Sequence, residues 1–192
     1  GVPKTMDNDI LWVWHSFGFD TAVEEATQAI NAIHDDTQST ERVCLLQLFG
    51  RDAGFVAAHA GLASGRADVV LIPEVPFHLE PLLDYVQDTL TSKSYALIVV
   101  AEGAAPQEYS EDFTHDRMEQ ELGLRRTDPN YKTHPQVTRA VAAGKLTYLE
   151  QKFNERFVTG SPEGKPPFHQ GRHQVNVIQP RHLVRAVPPG SV

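Results

Sequence analysis

The sequence predicts an α/β protein with a mainly parallel sheet flanked by helices. Two observations lead to this fold class: short apolar runs alternate with amphipathic segments of helical length, and a glycine or proline follows the apolar runs. Hydrophobic residues make up 41% of the 192 residues, which is enough for a real core. We therefore expect a globular protein in which helices connect parallel strands.

The elements of the first half each have a local signal. Apolar residues recur at helical spacing from residue 19 to residue 34, and Asp20 and Thr21 are placed to cap the helix start. The following apolar runs and amphipathic segments predict, in chain order, a strand at 43–48, a helix at 55–60 that ends within 61–65, a strand at 69–72, a helix at 79–90 and a strand at 95–101.

Beyond about residue 105 the pattern is weaker. It predicts helices near 116–122 and 137–153 and a last strand within 173–178, after a proline- and glycine-rich stretch at 160–171. We divide the chain accordingly into residues 1–18, an α/β unit at 19–105 and a divergent segment at 106–192.

The charge balance excludes several classes of partner. Lys and Arg total 17 against 25 Asp and Glu, and this formal net charge of -8 opposes nucleic acid and anionic membranes. Any phosphate must therefore be bound by local groups.

The apolar runs are too short to cross a membrane, and the one cysteine, Cys44, lies in an apolar run where we expect it to be buried. These features predict a cytoplasmic protein in a reducing compartment.

Two predicted strands are followed by a charged residue beside a glycine, namely Arg51 and Glu102. Because ligands of parallel sheets bind at the carboxyl ends of the strands, these two residues mark a candidate pocket. We expect Arg51 at a helix N-terminus, where backbone N–H groups and a guanidinium both favour an anion. An ordinary surface arginine beside Asp52 is the alternative, and a glutamate in a turn is the alternative for Glu102.

Asp7 and Asp9 lie two residues apart on a predicted loop, so both carboxylates can face one cavity. One can accept the proton of a sugar hydroxyl as its oxygen attacks phosphorus, while the other orients the site. The alternative is a turn, because Asp-Asn-Asp is a common turn composition. Trp12 and Trp14 alternate in an apolar stretch that is typical of a core or an interface.

A metal site is not predicted. His169 and His173 have the spacing of zinc ligands on a helix, but Gly171 between them and the prolines at 166–167 argue against a helix there. Arg42, Arg125 and Arg126 are further cations, and each by itself is typical of a solvated surface charge.

Taken together, the motifs resemble those of the 6-phosphofructokinase family. Residues 3–9, Pro-Lys-Thr-Met-Asp-Asn-Asp, resemble its PKTIDND motif with Met in place of Ile, and residues 16–23 resemble its SFGFDTAV helix entry. Phe-Gly-Arg at 49–51 stands where the family has MGR, and residues 71–74 resemble its LIPE. Ala-Glu-Gly-Ala at 101–104 resembles the AEGA of the plant and trypanosomatid branch, so the resemblance covers residues 1–105.

The resemblance implies a phosphofructokinase-like sheet with an incomplete first lobe, and it implies a role for each matching residue. Asp7 is then the base that takes the proton of the 1-hydroxyl of fructose 6-phosphate, and Arg51 stabilises the transferring phosphoryl group. The residues that line or bind the sugar phosphate are then Thr5, Asp9, Phe49, Gly50 and Glu102. Arg42 matches an arginine lent to a neighbouring subunit, which implies a homo-oligomer. Lys4 then lies on the side of the phosphoryl donor, and a lysine at this position is shared by the ATP-dependent and the pyrophosphate-dependent enzymes.

Downstream the resemblance is weaker. Residues 125–131, with Arg125 and Tyr131, resemble part of the family's KYIDPSYxxR segment, and these two residues are then substrate-binding, but His134 stands in place of the final arginine. A neutral imidazole holds a phosphate less firmly.

The family's Gly-Gly-Asp-Gly-Thr loop, which cradles the donor phosphates and Mg²⁺, has no counterpart in this sequence. The sequence also starts at Gly1, directly before the first motif, so we expect a fragment that is not a competent kinase alone.

The function implied by the resemblance is the phosphorylation of fructose 6-phosphate to fructose 1,6-bisphosphate in glycolysis, with Mg²⁺ and ATP or pyrophosphate as the donor. Two alternatives stay open. One is a pyrophosphate-dependent fructose-6-phosphate 1-phosphotransferase, and the other is a truncated, non-catalytic paralogue that only binds the sugar phosphate.

Overall fold

The computed structural model of the chain describes residues 4–123, 125–158 and 175–178. Within these residues, four parallel strands form one sheet in the order β2-β3-β1-β4, and helices connect them. The elements are α1 Phe19–Thr40, β1 Val43–Leu48, α2 Phe55–Ser64, β2 Val69–Leu71, α3 Leu79–Lys93, β3 Ala96–Ala101, α4 Glu111–Leu122, α5 Pro135–Phe157 and β4 Val175–Ile178. The predicted fold class is confirmed.

The two central strands show why continuous apolar runs form the middle of this sheet. Every residue of β1 and β3 is buried, and the strands pair in register from Val43 opposite Ala96 to Leu48 opposite Ala101. A strand that is covered by helices on both faces needs apolar side chains at consecutive positions. Cys44 is buried in β1 as expected, and burial raises the pKa of its thiol to about 11.

Four helices extend further than their apolar pattern predicts, and one of them is α5, which spans Pro135–Phe157. The helix α1 continues to Thr40 and α3 to Lys93, and each ends at a non-glycine residue in the left-handed region, Glu41 (φ 51°) and Ser94 (φ 64°). The helix α4 begins at Glu111, because the Ser110 hydroxyl accepts a hydrogen bond from the Asp112 N–H and caps the first turn. These ends are set by backbone conformation and capping, which hydrophobic periodicity does not report.

The carboxyl-terminal elements pack into the same core as the first half. Leu149 and Phe153 of α5 belong to the main apolar cluster, and β4 pairs with β1 from Val43 opposite Val175 to Leu46 opposite Ile178. A second, smaller cluster joins α4, the following turn and α5 through Met118, Tyr131 and Val137. The boundary at residue 105 stays a prediction, although α5 and β4 pack across it.

Not all large apolar side chains enter these clusters. In the segment between residue 10 and α1, Leu11, Trp12, Trp14 and Phe17 are 66–102% exposed. A core position is therefore wrong for Trp12 and Trp14, whereas the alternative expectation, an interface, stays a prediction. In the part of the chain that the structure describes, no helix is long and apolar enough to cross a membrane.

Candidate functional site

The carboxyl ends of β1 and β3 stay paired beyond the strands. The Glu102 N–H donates to the Leu48 carbonyl at 3.0 Å, and the Gly103 N–H donates to the Gly50 carbonyl at 2.8 Å. Parallel strands end at the same edge of a sheet, so the segment after β1 and the turn after β3 are held side by side. The structure thus brings the predicted pocket residues Phe49, Gly50 and Glu102 to one edge.

Close backbone packing fixes the loop that carries Arg51. Gly50 has φ 132°, and a side-chain carbon there would lie 2.4 Å from the Ala53 carbonyl oxygen. A side-chain carbon on Gly103 would lie 1.8 Å from the carbonyl oxygen of Arg51. Only residues without a Cβ permit this approach. The Arg51 side chain is exposed at this edge, where an anion can reach its guanidinium.

The expectation that Arg51 lies at a helix N-terminus is wrong. The helix α2 begins at Phe55, and its cap residue is Gly54, three positions beyond Arg51. The Gly54 N–H donates to Oε1 of Glu74 at 2.8 Å. A carboxylate from the residues after β2 therefore takes the place at this helix end where an anion would bind. The sequence signal that could have indicated this contact is an acidic residue three positions after the end of β2.

Asp7 lies among carboxylates at the same edge. Burial, followed by the negative charges of Asp9, Glu102 and Asp52, raises the pKa of Asp7 above its ordinary value. The Asp7 N–H donates to the hydroxyl oxygen of Thr5 at 3.2 Å, which orders the motif locally. Asp7 Oδ1 is buried and has no hydrogen-bond partner among the described residues. The carboxylate can therefore accept a proton from a hydroxyl that enters the site.

Asn8 connects this motif to the start of α1, a role that the sequence pattern does not indicate. Its Oδ1 accepts a hydrogen bond from the Ser16 N–H at 2.8 Å, and its Nδ2 donates to the Trp14 carbonyl at 3.3 Å. Asn8 itself has φ 58°, a conformation that asparagine tolerates better than most residues. The residue beside Asp7 thus holds the exposed segment at Trp14 and Ser16, close to the start of α1.

Other predicted residues lie elsewhere or are used within the fold. Arg42 directly precedes β1, so it lies at the opposite edge of the sheet from Glu102. Lys4 and Arg125 are exposed, whereas Tyr131 is 1% exposed and its hydroxyl contacts Nδ1 of His115 at 3.1 Å. Substrate binding by Arg125 and Tyr131 stays a prediction, and for Tyr131 no ligand-accessible surface supports it.

Arg126 is occupied by carboxylates of α4. Its guanidinium donates to Asp112 Oδ1 at 2.6 Å and also pairs with Asp116 and Glu119. The hydrogen bond from Arg126 is the main cause that lowers the pKa of Asp112. This arginine therefore attaches the turn after α4 to the helix itself.

The side chains around Asp7 do not have the arrangement of a metal centre. Among residues 4–123, 125–158 and 175–178, no group of three or more His, Cys, Asp or Glu side chains is arranged to hold an ion. His169 and His173 lie outside the described residues. The carboxylates near Asp7 can accept protons and hydrogen bonds.

The sequence was compared with protein-family models and with curated proteins, and both comparisons find phosphofructokinases. A family model described as Phosphofructokinase matches residues 1–146. An ATP-dependent 6-phosphofructokinase of Chloroflexus aurantiacus is 49% identical over 112 residues, which are 58% of this chain and 31% of the relative. A pyrophosphate–fructose 6-phosphate 1-phosphotransferase of Amycolatopsis methanolica is 46% identical over 107 residues, which are 56% of this chain and 31% of the relative.

Solved structures show the same similarity. A pyrophosphate-dependent phosphofructokinase from Nitrosospira multiformis superposes with a TM-score of 0.52 at 25% identity, covering 79% of this chain and 44% of the other. One from Marinobacter aquaeolei gives a TM-score of 0.50 at 30% identity, covering 76% and 42%. The matched part of the chain thus spans about a third of the length of the curated relatives, which is 31% for the two described above.

Proposed function

The chain belongs to the phosphofructokinase family, since the family model matches residues 1–146 of its 192, and from this we propose that it forms the fructose 6-phosphate site of a 6-phosphofructokinase. The proposal is carried by one observation: Asp7, Arg51 and Glu102, which are far apart in sequence, lie at one edge of the sheet. Family membership alone gives no such arrangement, whereas a site for sugar phosphorylation requires a base, a cation and a hydroxyl acceptor together.

Each of the three residues has a chemical role in the proposed reaction. Asp7 accepts the proton of the sugar's 1-hydroxyl as the oxygen attacks the phosphoryl group, and its raised pKa makes it a stronger base than an ordinary aspartate. Glu102 accepts hydrogen bonds from the sugar hydroxyls, together with Thr5, Asp9, Phe49 and Gly50 as lining residues. Arg51 stabilises the negative charge on the transferring group.

The donor and the assembly are also part of the proposal. Lys4 lies on the donor side, and the donor is ATP or pyrophosphate with Mg²⁺, whose chemistry is charge neutralisation on the phosphates. Arg42 lies at the opposite edge of the sheet from Glu102, and this placement supports its contribution to a neighbouring subunit's site in a homo-oligomer. A cytoplasmic location agrees with this reaction.

Two alternatives have specific support. A pyrophosphate-dependent enzyme is supported by the similarity to the pyrophosphate-dependent proteins named above, although the ATP-dependent relative is as similar in sequence. A non-catalytic sugar-phosphate binder is favoured by His134, which stands where the family segment KYIDPSYxxR has its final arginine. Both alternatives keep the sugar-phosphate site and differ from the main proposal at the donor.

Calorimetric titration of the chain with fructose 6-phosphate tests the proposal, with glucose 6-phosphate as the control sugar. We expect selective binding of the fructose ester.

Glu102→Gln should weaken the affinity for fructose 6-phosphate about tenfold, because a hydrogen bond to a charged group is lost. Glu25→Gln on the exposed face of α1 should leave the affinity unchanged. Asp7→Ala should bind as the wild type does, because the base acts in the transfer step. Equal affinity for both sugars, or an unaffected Glu102→Gln variant, would contradict the proposed site.

A further inference from the structure

A lysine of α5 reaches the turn that follows β3. Lys145 is half-buried, and its Nζ donates a hydrogen bond to the Gly103 carbonyl at 2.8 Å. The helix α5 covers residues 135–157, in the part of the chain where the sequence assigns no function. This bond therefore connects the carboxyl-terminal helix directly to the residue beside Glu102.

The position of α5 at this point is set by close packing around the preceding residue. A side-chain carbon on Gly144 would lie 2.3 Å from Thr114 Oγ1 and 2.6 Å from the Tyr109 hydroxyl oxygen. The glycine lets the helix approach the segment that leads away from the turn after β3. Lys145 is consequently presented to Gly103 by a fixed helix backbone.

The turn that Lys145 holds is itself part of the site. The Gly103 N–H donates to the Gly50 carbonyl, and the Gly103 Cα packs against the carbonyl of Arg51. A movement of this turn therefore displaces Glu102 and Arg51 together. An ammonium donor on a carbonyl gives a stronger hydrogen bond than a neutral donor would, which suits a contact that fixes a turn.

We propose that Lys145 is a positioning residue that holds the Glu102–Gly103 turn in the geometry required for sugar-phosphate binding. The identity of the ligand rests on the proposed function, whereas the fixation of the turn does not. Lys145 acts through the Gly103 carbonyl, so a substitution that keeps a cationic donor should preserve its effect, and one that keeps only the aliphatic stem should not.

Amide hydrogen exchange tests the fixation without any ligand. In Lys145→Met, we expect the N–H groups of residues 102–104 to exchange at least about tenfold faster than in the wild type, because the bond that holds the turn is lost. The amides of β3 should be unchanged. Lys145→Arg should exchange like the wild type. Lys152→Met is the matched control, since Lys152 lies on the same helix and pairs with Glu155. Unchanged exchange at 102–104 in Lys145→Met would overturn the proposal.

Calorimetry with fructose 6-phosphate tests the functional consequence. We expect Lys145→Met to bind about tenfold more weakly than the wild type, and Lys145→Arg and Lys152→Met to bind like it. Unchanged affinity in Lys145→Met, or an equal loss in Lys152→Met, would overturn the link between the turn and binding. If the wild-type chain itself does not bind the sugar phosphate, the proposed function fails, while the exchange result still decides the role of Lys145 in fixing the turn.

Discussion

The environment of Asp7 makes its ionised carboxylate unfavourable for folding but well suited to accept a proton. Its Oδ1 is buried without a hydrogen-bond partner among the described residues, and the carboxylates of Asp9, Glu102 and Asp52 lie close enough to repel its charge. Such a carboxylate destabilises the fold when it is ionised, because burial and like charges both disfavour the anion. The same properties leave an oxygen free and basic enough to accept a proton.

Replacing Asp7 by asparagine should therefore stabilise the protein near neutral pH. The pKa of Asp7 is raised in the folded state, so the folded protein binds this proton more tightly than the unfolded chain does. Wild-type stability accordingly falls as the pH rises from the unfolded pKa of about 3.9 through the raised folded value. We expect Asp7→Asn to melt at a higher temperature than the wild type near neutral pH.

The pH dependence separates this effect from a general gain in stability. The advantage of Asp7→Asn should disappear as the pH is lowered below the unfolded pKa of about 3.9, where both states carry a protonated Asp7. Thermal melts of Asp88→Asn, on the exposed face of α3, serve as the control. An advantage that is the same at every pH, or a variant that melts lower at neutral pH, would show that the charge of Asp7 does not oppose folding.

The motif residues could be identified from the sequence, but the residues that hold them in place could not. Asp7, Arg51 and Glu102 were selected because their side-chain types suit the predicted chemistry, and their roles stay predictions. Asn8 and Glu74 were missed because they act on backbone N–H groups of residues distant in sequence, Ser16 and Gly54. Local periodicity contains no information about such contacts.

At the scale of elements, three parallel strands end around one loop. The loop at residues 50–54 is bound by the turn after β3 through Gly103 and by the residues after β2 through Glu74. It is also the direct continuation of β1. The three strand ends thus restrain the loop from its start to its end, which explains how an exposed arginine can be presented from a defined backbone.

Gly103→Ala should disrupt this junction. Its Cβ would lie 1.8 Å from the carbonyl oxygen of Arg51, a backbone atom that cannot withdraw unless the strand ends separate. We expect a loss of about 3 kcal/mol in the free energy of unfolding, measured with urea, as for other overpacked positions.

Gly65→Ala provides the comparison for this substitution. Gly65 is the C-cap residue of α2 and has open space around it, so an alanine there would meet only the backbone strain of its φ of 59°. The expected cost there is about 1 kcal/mol. If Gly103→Ala were no more destabilising than Gly65→Ala, the close approach of the two strand ends would not be tight in solution.

The boundaries of elements were predicted less well than their existence. Periodicity located each of the four strands that lie within the described residues, and β1 has the predicted bounds. The helix ends at Glu41 and Ser94 were missed because both residues adopt a left-handed conformation that glycine normally supplies. An ordinary side chain at these positions gives no stop signal.

For the whole molecule, the sequence predicted the fold class but not the arrangement of the strands. Alternating strands and helices specify a parallel sheet, whereas the order β2-β3-β1-β4 depends on which strands meet in space. The strand β4 shows this most clearly, since its four residues pair with β1 although α5 and many other residues intervene. Long-range pairing of this kind is a tertiary property.

The two tryptophans give the molecule an unusual optical behaviour. Trp12 is 102% and Trp14 88% exposed, and the sequence contains two tryptophans in all. We expect the native protein to have the emission spectrum and acrylamide quenching of free tryptophan. Urea unfolding should change this fluorescence little while abolishing the far-ultraviolet circular dichroism. Strongly shielded native fluorescence would contradict the exposed position of these rings.

The exposed segment that carries both rings has a practical consequence. Because Asn8 bonds this segment at Trp14 and Ser16, the segment is held beside the Asp7 motif with both indoles exposed. Intrinsic fluorescence is therefore a poor monitor of denaturation in this protein. It can instead report binding at this surface. Any molecule that covers the segment should shift the tryptophan emission to the blue, so that no added label is needed.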